Sequence, residues 1–190
     1  MQARLILASA SPRRRELLAQ QGIVFEVIPS NIPEVPQAGE GPASFARRVA
    51  AEKAFDIARQ HPEAFVLGAD TVVIASDEIF GKPTDRADAQ RMLKRLSGTT
   101  HRVVTAVALI DPRGMLEELA VETAVEFRDL SAVDIDAYLD TGEPFDKAGA
   151  YAIQGGAAQF VTHVSGSYSN VIGLPIDEVA ALLRRRMASV

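Results

Sequence analysis

The sequence contains no cysteine. That absence excludes disulfides, zinc–thiolate sites and thiol nucleophiles, and it leaves the redox compartment open. Long hydrophobic runs are also missing: none approaches the ~20 residues a helix needs to span a bilayer. The N-terminus carries no signal-peptide pattern, so the expectation is a cytoplasmic protein without a membrane partner. Histidine is scarce. His61, His101 and His163 are the only three, and they lack metal-ligand spacing. His101 reads as a satisfied strand histidine, not as part of a triad. There is no HExxH, no GxSxG elbow, no GxxxxGKS or GxxxxGKT phosphate loop, and no GxGxxG after a strand. Ordinary NTPase and dinucleotide-binding readings thereby lose their main support. An excess of positive charge is absent too. The formal net charge of −5 argues against a nucleic-acid polymer as partner, which would call for a basic field.

What is present is an ordinary composition, 47% hydrophobic and 24% charged over 190 residues. That length suits one domain, here taken as 1–190, and is enough for a real core. No internal repeat, low-complexity tract or linker interrupts it. The basic residues are local, which suits a small anionic ligand better than a polymer.

The most informative stretch is RLILASASPRRRELLAQ at 4–20. Residues 4–8 have strand length and are followed by a small-residue turn, Ser9-Ala10-Ser11. Pro12 then stands at a natural first helical position, with Ser11 as N-cap, ahead of a helix-forming run to Gln20. Arg13, Arg14 and Arg15 occupy the first helical turn, where the helix dipole already places positive charge. Exposed there, each arginine costs ~0.3–1 kcal/mol. An anion would complete such a site, because a strand, a serine-rich turn and a helix start with guanidinium groups form a phosphate cradle. Three solvated arginines remain the alternative.

Residues 24–28 alternate as a strand. A proline- and glycine-rich loop over 29–42 carries Glu34 and Glu40 and is long enough to suggest a functional role. A helix follows over 42–60. At 100° per residue, Phe45, Ala46, Val49, Ala50, Ala54 and Ile57 share one face, with Arg48, Glu52 and Arg59 opposite. Lys53 falls in the middle of the apolar face. It either has a partner or ligand there, or packs its stem and reaches solvent with its ammonium. Residues 64–75, AFVLGADTVVIA, read as a central strand buried on both faces. Asp70 sits within that run, where an unpaired carboxylate would be forced to protonate or find a cation. It is a structural partner of a lysine or arginine, or a metal ligand or general base in a cleft, with Lys53 and Lys82 as candidate partners under either alternative.

Further on, a hairpin turn at 76–78 joins 72–75 to 79–80. Thr84 or Asp85 caps a helix over 86–96, closed by Gly98. Two long strands, 101–110 and 115–127, are joined through Asp111-Pro112-Arg113-Gly114. Ser131 opens a short capped helix that ends near Gly142. Gly149, Gly155 and Gly156 then bracket a strand ending in Gln154, and 163–173 is polar and turn-rich. The last helix covers 175–187, with Arg184–Arg186 where positive charge suits the dipole. These residues give α/β with several antiparallel pairs. The side chains left for chemistry are the cations Arg13, Lys53, Lys82 and Lys147 and the carboxylates Glu34 and Asp70. Such types suit phosphate chemistry assisted by Mg²⁺.

Eight motifs in order carry a more specific likeness: SASPRRRELL, IPE at 32–34, AEK at 51–53, GADT at 68–71, GKP at 81–83, SGxxHxVxT at 97–105, DKAGAYAIQG at 146–155 and GSYxNVxGLP at 166–175. With them the chain resembles the Maf family of nucleoside triphosphate pyrophosphatases. The resemblance implies an inosine triphosphate pyrophosphatase-like α/β fold: an elongated mixed sheet flanked by helices, with a nucleotide cleft between two lobes, and often a homodimer. It further implies cleavage between the α- and β-phosphates of a nucleotide, with a divalent cation, Mg²⁺ or Mn²⁺. Asp70 would be the general base, also near the metal, and Glu34 an acidic metal- or water-positioning residue. Ser9, Arg13 and Arg14, with Lys53 and Lys82, would hold the triphosphate, and Lys147 would add to substrate binding. Arg13, Thr71 and Gln154 match the branch acting on dTTP and UTP instead of 7-methyl-GTP. The amide of Gln154 offers a donor and an acceptor, which can match the O4/N3–H edge of uracil or thymine. A nucleotide sensor acting on septum formation is the alternative from another class.

Overall fold

The computed structural model describes residues 3–76 and 78–188. Asp77, the middle of the expected 76–78 turn, lies outside the described residues. The chain divides into two compact units, one made of the chain up to Asp70, Thr105–Val121 and the chain from Gly173, the other of Thr71–Val104 and Glu122–Ile172.

In chain order the elements are β1 (Leu5–Leu7), α1 (Pro12–Gln20), β2 (Glu26–Val27), α2 (Pro42–Ala58), β3 (Phe65–Ala75), β4 (Glu78–Phe80), α3 (Arg86–Leu96), β5 (Thr100–Ile110), β6 (Leu116–Phe127), α4 (Ala132–Asp140), β7 (Val161–Ser165), α5 (Tyr168–Ile172) and α6 (Ile176–Met187). Three short 3-10 turns, Glu143–Asp146, Ala148–Ala150 and Gly156–Phe160, lie between α4 and β7. The strands form one mixed sheet in the order β2-β1-β3-β5-β6-β7, with β4 paired to β3. β1 runs parallel to both β2 and β3, whereas β3–β4 and β6–β7 are antiparallel.

The first unit is organised by β1 and the first half of β3. Leu5, Ile6 and Leu7 are fully buried, as are Phe65, Val66 and Leu67 in register beside them. Such unbroken apolar runs are what a strand covered on both faces requires. α2 buries the expected face, Phe45, Ala46, Val49, Ala50, Ala54 and Ile57, and Lys53 with it. Gly68 explains how close α2 comes. A Cβ there would meet the Ala50 carbonyl oxygen at 2.2 Å and the Ala54 nitrogen at 2.8 Å. Only a bare Cα allows that approach.

The second unit has its own core, in which Phe80, Leu93, Leu96, Phe127, Leu139 and Phe160 are almost wholly buried. α4 is held at its start by a reciprocal capping box between Ser131 and Asp134. That exchange satisfies two amide donors the helix leaves open.

Two expectations fail in this unit. Residues 149–154 form no strand. Gly149 and Ala150 have φ of 70° and 59°, so the chain coils just where a strand would begin. Tyr151 is extended, but the next amide, Ala152 N, donates to the Tyr138 hydroxyl at 3.0 Å and not to a neighbouring strand. The apolar Tyr-Ala-Ile pattern reports burial there, not pairing. Conversely, 163–173 is not merely polar and turn-rich. It holds the end of β7, which pairs with β6, and the short α5. β7 shows no clean alternation because it lies at the end of the strand order, where a polar side chain meets water at little cost. The 24–28 strand also contracts, to the two residues of β2.

Candidate active site

Ser11 caps α1 as expected, and Pro12 opens it. The three arginines of its first turn then take different courses. Arg15 is exposed and Arg13 is half-buried, while Arg14 is 8% exposed. The Arg14 guanidinium donates through Nε to the Gly173 carbonyl at 2.8 Å and through Nη1 to the Ala69 carbonyl at 2.9 Å and to Ser9 Oγ at 3.1 Å. Burial works against its charge, and the nearby Asp70 and Glu34 carboxylates support it.

Ser9 is buried and accepts twice, from Arg14 Nη1 and from the Ser11 amide at 3.3 Å. A hydroxyl has two acceptor positions and one donor. With the acceptor positions filled, its own proton is left to donate, which is the polarity an anion needs.

Asp70 and Lys53 answer each other's oddity. Because side chains alternate along a strand, Asp70 lies on the same face of β3 as Gly68, toward α2. There Lys53 Nζ sits 2.9 Å from Asp70 Oδ1 and 2.7 Å from Glu34 Oε1. Both Lys53 and Asp70 are nearly inaccessible, while the Glu34 side chain remains 41% exposed. Burial pushes the Asp70 carboxyl above its ordinary range; Lys53 and then Arg14 pull it back. A carboxylate that is desolvated yet held ionised by a directed cation is poised to take a proton.

The long loop delivers Glu34 by being tied to α2 at several points. Ser30 Oγ donates to Asp56 at 2.7 Å, Arg48 donates to the Val35 carbonyl at 3.0 Å, and Arg48 also pairs with Glu40 at 2.7 Å. The Arg48 bond holds the Glu40 carboxyl down at about 2.

Of the expected site residues, Ser9, Arg14, Glu34, Lys53 and Asp70 thus belong to one connected cluster, with Arg13 close enough to Arg14 to oppose its charge. Thr71 follows Asp70 on β3 and is half-buried. Lys82, Lys147 and Gln154 belong to the second unit. Lys82 and Gln154 are exposed. The segment bearing Lys82 adjoins that bearing Lys147, because Gly149 N donates to the Gly81 carbonyl at 3.0 Å. The Lys147 ammonium bonds the Glu143 carbonyl at 3.2 Å and pairs with Asp146. What the sequence reading did not include are the Ala69 and Gly173 carbonyls under Arg14, and Gly68. A glycine inside a strand pattern was the available signal for the last.

Among the described residues, no group of three or more histidine, aspartate or glutamate side chains gathers as a metal-holding cluster. Glu34 and Asp70 still suit a hard cation. Mg²⁺ takes one or two carboxylates together with substrate phosphates and water. The donor set fits an ion shared with a phosphate ligand.

A model of the Maf-like protein family matches residues 4–186. A dTTP/UTP pyrophosphatase from Geobacter sulfurreducens is 54% identical, over 96% of this chain and 96% of its own. One from Myxococcus xanthus is also 54% identical, over 97% of this chain and 93% of its own. Among solved structures, a HAM1 protein from Coxiella burnetii aligns with a TM-score of 0.53 at 15% identity, covering 96% of this chain and 99% of that one. The Ham1 protein of Staphylococcus aureus aligns with a TM-score of 0.50 at 13% identity, again covering 96% and 99%. At such low identity these two structures bear on the fold alone.

Proposed function

The chain belongs to the Maf family, and on that premise we propose that it hydrolyses dTTP and UTP, and modified pyrimidine relatives, to the monophosphate and pyrophosphate in a house-cleaning role. The observation that carries the proposal is the buried Asp70–Lys53 pair, joined by Glu34 from a loop strapped onto α2. In the proposed step, Asp70 takes a proton from a water molecule as the water oxygen bonds the α-phosphorus. The α–β anhydride bond breaks, and its electron pair leaves with pyrophosphate. Lys53 keeps Asp70 ionised before the step and spreads the charge that develops on the phosphates; a role for Lys82 in holding the triphosphate rests on the family's pattern. Ser9 donates a hydrogen bond through its hydroxyl to a phosphate oxygen. Arg13 supplies a guanidinium at the start of α1, where the dipole also favours an anion. Arg14 acts from beneath by fixing Ser9 and the strand residue before Asp70.

The cluster is charge-balanced by itself: Lys53 and Arg14 stand against Asp70 and Glu34. A triphosphate brings several further negative charges, so the site calls for added positive charge. Mg²⁺ or Mn²⁺, held by Glu34 and Asp70, would neutralise the phosphates and polarise the reacting centre when bound. The roles of Thr71, Lys147 and Gln154 in substrate binding rest on the family's pattern, as do a homodimeric state and a cytoplasmic location.

The test is a pyrophosphate-release panel with Mg²⁺ or Mn²⁺ over dTTP, UTP, dUTP, CTP, GTP and 7-methyl-GTP, with products identified. Preference for dTTP and UTP with monophosphate as product is expected. Preference for 7-methyl-GTP would keep the reaction and sink the pyrimidine assignment. Asp70→Asn removes the base while keeping the shape. Its turnover should fall by ~10²–10⁴, the range for a positioned general base, with nucleotide binding kept. Because burial disfavours the charged carboxylate, the same variant should melt above the wild type at pH 7. Tight binding without turnover by the wild-type protein would favour the sensor of septum formation.

A further inference from the structure

Gln154 is exposed at the tip of a turn, and side chains from elsewhere in the second unit hold the backbone on both sides of it. Before the tip, the Tyr151 hydroxyl hydrogen-bonds His101 Nε2 at 2.8 Å, and Ala152 N donates to the Tyr138 hydroxyl at 3.0 Å. These anchors are buried and uncharged; burial brings the His101 imidazole down to about 4 and pushes the Tyr151 phenol up. After the tip, Glu143 Oε2 accepts from Gly156 N at 2.9 Å. The carboxylate occupies the space a side chain at 155 would need, since a Cβ on Gly155 would lie 1.5 Å from Glu143 Oε1. Glu143 is itself braced: its amide donates to Thr141 Oγ1 at 3.2 Å, and its carbonyl accepts from Lys147 Nζ at 3.2 Å.

We propose that Glu143 is a positioning residue for base selection, whose carboxylate staples the Gln154 turn without touching the nucleotide. The inference rests on the reading of Gln154 as the contact to the base edge. Thymine and uracil present an acceptor at O4 and a donor at N3, whereas cytosine presents a donor at N4 and an acceptor at N3. An amide that can turn over or shift reads both edges equally well. Discrimination therefore requires a backbone that holds the amide in one place, which is what a second layer of hydrogen bonds supplies.

The experiment compares kcat/KM for dTTP and dCTP, with Mg²⁺, in the wild type, Glu143→Ala, Glu143→Gln and Gln154→Ala, together with amide hydrogen exchange over residues 152–156. Glu143→Ala should lower the dTTP-to-dCTP ratio about tenfold, mainly through KM for dTTP, and speed exchange at Gly156. Glu143→Gln keeps an acceptor oxygen but not the charge, and its ratio should stay within about twofold of the wild type. A Gln variant as impaired as the Ala variant would assign the effect to charge and overturn the staple. An unchanged ratio in Glu143→Ala with a lowered one in Gln154→Ala would overturn the staple alone. Unchanged ratios in both would sink the Gln154 reading with it. A lowered ratio in Glu143→Ala alone would support the staple and move the base contact to another residue of the turn.

Discussion

Three consecutive arginines occur at 13–15 in the first turn of α1 and again at 184–186 in the last turn of α6. The local sequence is the same, but the dipole is reversed, and so are the surroundings. At α6 the positive charges meet the negative end of the helix and face solvent. Arg184 and Arg185 are exposed, Arg185 pairs with Glu117, and Arg186 reaches Asp111 at 2.7 Å. At α1 the charges oppose the dipole, no acidic residue softens the first turn, and Arg14 is buried against backbone carbonyls and Ser9. A run that agrees with its helix end needs no further explanation. One that disagrees persists because other segments compensate for it, as the Ala69 and Gly173 carbonyls and Ser9 do for Arg14; in the proposed function an anion does the same for Arg13.

Replacing Arg14 should produce the largest change and would break the contrast if it did not. Arg14→Ala takes one buried donor from Ser9 Oγ and from each of the Ala69 and Gly173 carbonyls. It also takes one supporting cation from Asp70 and Glu34, and together these losses should cost about 3–5 kcal/mol in urea unfolding. Arg14→Lys lacks the planar fork that reaches several acceptors at once. It should restore part of the stability and leave turnover at least tenfold low, by the specificity of that geometry. Arg13→Ala sharpens the distinction between structure and ligand. It should lower kcat/KM for dTTP about tenfold or more while gaining ~0.3–1 kcal/mol of stability, because it relieves the clash with the dipole. At the other run, Arg186→Ala should lose ~1 kcal/mol or less, with part of that removed by high salt and turnover unchanged. Arg185→Ala should move the urea midpoint least, by under ~0.5 kcal/mol. Loss of turnover in either α6 variant would end the comparison.

Much of the first unit was legible because its signals are local. Ser11-Pro12 announces a helix start, the 3.6-residue period of α2 marks its buried face, and an unbroken apolar run announces β3. The second unit was read less well. Between 149 and 173, glycines, short turns and side-chain acceptors replace regular pairing, and periodicity then says only what is buried. The candidate site was legible as two anomalies, a lysine in an apolar helix face and an aspartate in an apolar strand. Lys53 and Lys82 both stood as partners for Asp70 in the linear chain, and only the fold selects Lys53.

By itself, the sequence determined which segments are helices and strands in the first unit, which faces they bury, and which charges lie where burial or a helix dipole disfavours them. Those properties depend on interactions within a few residues, so they survive in the linear chain. Only the tertiary structure decided where each misplaced charge goes. The Lys53–Asp70–Glu34 contact depends on β1 and β3 pairing in parallel, on the bare Cα of Gly68 admitting α2, and on Arg48 strapping the loop. The desolvation that raises the Asp70 carboxyl comes from the same packing, because a charge is stripped of water by groups distant in the chain.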